Sequence, residues 1–89
     1  MKYTTLQLEA LLLSGDQYLR NGMEYEALHA YSKVFVNIPW DCTDERQPLL
    51  QQAYKGLCAL SLSQNEVVWE EACQLTGDYH QHIQSSKEI

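Results

Sequence analysis

Basic residues are scarce in this chain. Six lysines and arginines stand against twelve acidic residues among 89, a formal net charge of −6. The six are dispersed singly as Lys2, Arg20, Lys33, Arg46, Lys55 and Lys87. A nucleic-acid binder gathers such residues into a stripe that displaces counterions from phosphates, so nucleic acid and anionic membranes are poor partners. Proline is scarce too, with two residues, and 45% of the chain is hydrophobic against 20% charged, the balance of a globular domain rather than a disordered one. Long apolar runs are missing. The stretch at residues 10–13 holds four apolar residues, far short of the roughly 18 that span a bilayer and short of a secretory core segment. The expectation is a soluble, cytoplasmic protein forming one domain over residues 1–89, with a core small enough to favour a partner or self-association. Cysteines are three, Cys42, Cys58 and Cys73, an odd number with no C-x-x-C pair. They read as reduced thiols, two of them small core residues.

What is present is a helical pattern. Leu8, Leu11, Gly15 and Tyr18 recur at helical spacing on one face. Gly15 lets a second helix approach closely, and Asn21-Gly22 is a helix stop. Ala27 is the small residue expected opposite Gly15, Tyr31 follows one turn later, and Pro39 ends the second helix. Read together, Leu11, Ser14-Gly15, Tyr18, Asn21-Gly22, Ala27, Tyr31 and Pro39 resemble the tetratricopeptide helix–turn–helix unit over residues 8–41, the 34-residue period of that repeat. The resemblance implies an all-α fold of antiparallel helical hairpins, a tetratricopeptide-like right-handed array of four to five helices.

The pattern predicts a first helix beginning after Thr4, with Gln7 completing a capping box and Glu9 in the first turn, and ending near Arg20. A second runs over residues 24–37 through Ala27, Leu28, Tyr31, Val34 and Phe35, with Trp40 folded back over it. Residues 41–48 form a polar loop. A third helix, capped by Asp44 or opened by Pro48, extends to about residue 63. Residues 51–84 resemble a degenerate second repeat displaced by 43 residues, with Leu57-Cys58 in the place of Ser14-Gly15 and Asn65 as the helix stop. Its small residue is expected at Glu70, and Ala72 is the nearest candidate. In the fourth helix Val67, Val68, Ala72 and Leu75 are expected to face inward. Gly77 is expected to break it, with Thr76 capping a short fifth helix before a frayed end.

Residues with chemistry do not assemble into a catalytic pattern. Cys73, His80 and His82 are the candidates for a metal, but their spacing is not that of paired zinc ligands, and solvated histidines are the simpler reading. Cys42 lies among Asp41, Asp44 and Glu45, which raise rather than lower a thiol pKa. Glu70-Glu71 and Asp44-Glu45 are adjacent and diverge on a helix. Neither a phosphate-cradling glycine loop nor a nucleophile elbow is present. The reading is a non-enzyme without cofactor.

Recognition remains. In stacked helix pairs the first helix of each pair lines a concave groove. The resemblance implies a groove of Leu12, Asp16, Leu19 and Arg20 from the first helix and Lys55, Ala59 and Leu62 from the third. Family members that capture acidic C-terminal peptides carry lysine and asparagine clamps there, whereas Leu12 and Asp16 stand in those places here. The groove therefore suits the apolar face of an amphipathic helix. Leu12 and Leu19, with Leu13 beside them, are expected to be uncovered by the hairpin. Small acidic chaperones of bacterial type III secretion, some of them short helical-repeat proteins, are a more specific resemblance. The alternative is an oligomerisation or scaffold subunit that pairs through its leucine stripe.

Overall fold

The computed structural model describes residues 3–40 and 45–87. Among these residues the structure is all-helical, with α1 (Thr5–Arg20), α2 (Glu24–Asn37), α3 (Gln47–Leu60) and α4 (Glu66–Lys87). None of them is long and apolar enough to cross a membrane.

The start of α1 is set locally. The Gln7 amide donates to Thr4 Oγ1 at 3.1 Å and the Thr4 amide to Gln7 Oε1 at 2.9 Å, a complete capping box that satisfies two otherwise orphaned donors. Glu9 falls one residue beyond the first turn. The helix stops at Asn21, whose amide bonds back to carbonyls of the last turn, and Gly22 takes a φ of 75°, which glycine adopts without strain. The reversal is short, and α2 begins two residues later.

The buried face of α2 holds Ala27, Leu28, Tyr31, Val34 and Phe35, the residues its amphipathic spacing selects. It packs against both α1 and α3, which makes it the central element. Trp40 folds back as expected: its Nε1 donates to the Phe35 carbonyl at 2.9 Å and its ring meets that of Phe35.

Pro48 sits in the first turn of α3, where its missing N–H costs nothing. The Asp44 cap and Cys42 lie outside the described residues. The helix ends at Leu60, three residues short of the expected stop, because the chain tightens there: Leu62 and Ser63 amides bond to Ala59 and Leu60 carbonyls. Asn65 acts as a start rather than a stop, since its Oδ1 accepts from the Val67 amide at 3.1 Å at the head of α4.

Gly77 does not break α4. It is exposed, with nothing within 4 Å of where a side chain would begin. Thr76 donates its hydroxyl to the Ala72 carbonyl instead of capping a new helix. Packing on either side of Gly77 keeps the helix continuous through it. Val68, Ala72, Leu75 and Tyr79 form the inward stripe, while Val67, expected inward, is half-exposed. Tyr79 closes the core against Phe35, Trp40 and Tyr54, with ring centroids 5.3–5.5 Å apart, and accepts a hydrogen bond from Gln51 Nε2. This aromatic cluster joins the end of α2, the middle of α3 and the distal half of α4.

Candidate docking trough between α1 and α3

The floor of the candidate site is a single ring. Tyr31 is fully buried, and its edges face a glycine on either side. A Cβ at Gly15 would lie 2.9 Å from Tyr31 Cε1, and one at Gly56 would lie 2.5 Å from Cε2. Gly15 therefore admits the Tyr31 ring, whose atoms lie nearest to where its side chain would begin. Gly56 does the same from α3, 41 residues after Gly15, while Cys58, the small residue expected there, is half-buried. The Tyr31 hydroxyl emerges between the helices and donates to Asp16 Oδ1. Burial first, and then the bond to Asp16, push the phenol pKa far above its ordinary value, while the Arg20 charge opposes the rise.

Above this ring lies an open depression of about 350 Å³ lined by Asp16, Leu19, Tyr31, Gln52, Lys55, Gly56 and Ala59. Four of the residues expected in a groove, Asp16, Leu19, Lys55 and Ala59, meet there. Of the other three, Leu12 lines the adjoining depression instead, and Arg20 and Leu62 line neither. Leu12 is 3% exposed and belongs to the core with Leu8 and Leu28, so the uncovered stripe expected to include it does not exist in that form. The face of α1 that packs inward is Leu8–Leu12–Gly15, rotated from the expected one, and Leu11 and Tyr18 are only half-buried. The α1 leucines left in solvent are Leu6 and Leu13, 76% and 66% exposed. Leu62 is 84% exposed in the turn beyond α3, away from the depression, and Arg20 does not line it.

The depression is not isolated. Asp16 and Gln52 also line a second one of about 290 Å³, with Glu9, Leu12, Leu13 and Leu49. Glu9 and Leu49 in turn line a third of about 270 Å³, with Thr5, Glu45, Arg46 and Pro48. Shared walls join the three into one trough, with residue numbers rising together along both banks, from Thr5 to Leu19 on α1 and from Pro48 to Ala59 on α3. The fourteen helical rises from Thr5 to Leu19 make it about 20 Å long. A separate depression of about 430 Å³ lies on the other side of α1, against α2, lined in part by Tyr18, Tyr25 and His29.

No family model matches the chain, and neither a curated protein nor a solved structure matches it.

The histidines singled out for a metal have other partners. His80 Nε2 shares a hydrogen bond of 2.7 Å with the Tyr54 hydroxyl, and His82 Nε2 donates to the Trp40 carbonyl at 3.0 Å. Among the described residues no group of three or more His, Cys, Asp or Glu is placed to hold a metal ion. Cys58 and Cys73 are free thiols, half-buried. Tyr54 has its pKa raised, by burial first and then by its bond to Cys58. The signal that sequence reading missed was the Gly56–Tyr31 pairing: a glycine inside a helix with a strong apolar face marks a close approach, as Gly15 did.

Proposed function

We propose that this protein is a non-enzymatic protein-interaction module, a small adaptor or chaperone that seats an amphipathic helix of a partner protein in the α1–α3 trough. The observation that carries the reading is the continuity of three depressions into one trough about as long as a four-turn helix. Its banks offer apolar surface from Leu13, Leu19, Leu49 and Ala59, flanked by polar side chains, which is the lining an amphipathic helix needs. A trough whose two banks rise in the same direction supports the tetratricopeptide-like reading, with antiparallel hairpins α1–α2 and α3–α4 presenting their first helices to one face. Small size, net acidity and an apolar trough also support the narrower reading as a cytoplasmic chaperone of type III secretion type, guarding the helix of a secreted subunit.

Self-pairing as a scaffold subunit is the second reading, favoured by the exposure of Leu6 and Leu13 on one helix. One experiment separates them. A chain carrying Leu13→Glu and Ala59→Arg, both at exposed trough positions, is compared with the wild type for capture of the native partner and for self-association in sedimentation. Loss of a heterologous complex supports the adaptor, and loss of a homo-oligomer alone supports the scaffold.

A further inference from the structure

The bank that α1 contributes to the trough is acidic. Glu9 and Asp16 stand seven residues apart, two helical turns, so about 10 Å separates them along the axis. Both line the central segment, whose other lining residues are Leu12, Leu13, Leu49 and Gln52. Two cations also line the trough, both outside α1's bank: Arg46 in the depression that holds Glu9 and Glu45, and Lys55 in the one that holds Asp16. The Asp16 carboxylate is held in place by the Tyr31 hydroxyl through one oxygen, so less side-chain entropy is lost when a ligand engages it. A second copy of this chain is a poor occupant. The chain carries a net charge of −6, and the exposed apolar residues of α4, Val67 and Trp69, are flanked by Glu66, Glu70 and Glu71. Docking that face would bring acid against acid, which is penalised at an interface.

Resting on the trough as the docking surface, we propose that its occupant is a cationic amphipathic helix. Its apolar stripe lies on Leu13, Leu49 and Ala59, and two lysines or arginines seven apart beside that stripe meet Glu9 and Asp16. Charge on the α1 bank thereby sets both the class of partner and its register, because a shift by one turn breaks both pairings at once.

The test uses synthetic helices of about 18 residues that share one apolar stripe. One carries lysines seven apart on its flank, the second carries glutamates there, and a third is the lysine peptide broken by a central proline. Fluorescence anisotropy against the whole protein should show the lysine helix binding about tenfold or more tighter than the glutamate helix at low ionic strength. The gap should narrow as salt is added and collapse in a Glu9→Lys protein whose helicity is unchanged. Equal binding of the lysine and glutamate helices overturns the charge inference and leaves the trough standing. Tighter binding of the glutamate helix, or no effect of Glu9→Lys, overturns it as well. Binding of the broken peptide as tightly as the intact one, or no binding of any peptide, overturns the trough reading itself. Self-association that no peptide displaces assigns the trough to a second copy.

Discussion

Tyr31 is the residue on which the packing of three helices converges. Its ring fits only because Gly15 and Gly56 have no side chains, and a Cβ at Gly56 would intrude furthest, 2.5 Å from ring atoms. Overpacking of this kind costs about 1–3 kcal/mol. That outweighs the gain of about 1 kcal/mol that alanine brings to a helix interior. Gly56→Ala should therefore destabilise the protein, whereas Gly77→Ala, at a helical site with open space around it, should stabilise it by about 1 kcal/mol. Urea denaturation of the two variants gives opposite shifts of midpoint if the assignment is right. The phenol makes a second test. Its pKa is raised in the folded state, so the stability it contributes is intact below the unfolded value of about 10 and is lost as pH rises through the folded one. Ultraviolet titration should show a phenol still protonated above that pH, and Tyr31→Phe should remove one group from the late-ionising set.

At the scale of the element, α1 carries neighbouring leucines with opposite fates. Leu12 is buried in the core and Leu13 is mostly in solvent. Leu12→Ala should cost about 2–5 kcal/mol, while Leu13→Ala should change stability by no more than about 0.5 kcal/mol. Thermal denaturation of both variants checks this. Much of the element structure was legible from local signals. Thr4 with Gln7, Asn21-Gly22 and the face of α2 are local devices, and the ends of α1 and of α2 followed from them. The rotation of α1 was not legible, because its run of leucines satisfies more than one face and only the position of Tyr31 and α3 selects Leu12 over Leu11. Gly77 misled for a related reason. The propensity cost of one glycine is about 1 kcal/mol, and the burial of Tyr79 among Phe35, Trp40 and Tyr54 exceeds it. Of the candidate site, Asp16, Leu19, Lys55 and Ala59 converge because they sit on the two helices that share α2. Leu62 does not, because α3 ends before reaching it.

At the scale of the whole molecule, the four helices of the described residues bury one core and leave a trough along α1 and α3 whose central bank is acidic. The core does not need Leu13 or Ala59, both exposed, which leaves their surface available to the proposed partner. The decisive measurement is capture of the native partner by the Leu13→Glu, Ala59→Arg protein relative to the wild type, with both shown equally helical by circular dichroism. A leucine buried in an interface contributes roughly 1.5–3 kcal/mol, so capture should fall by about tenfold or more while helicity and melting temperature hold. Equal capture by the two proteins, with both folded, would contradict it and place the docking surface elsewhere on the molecule.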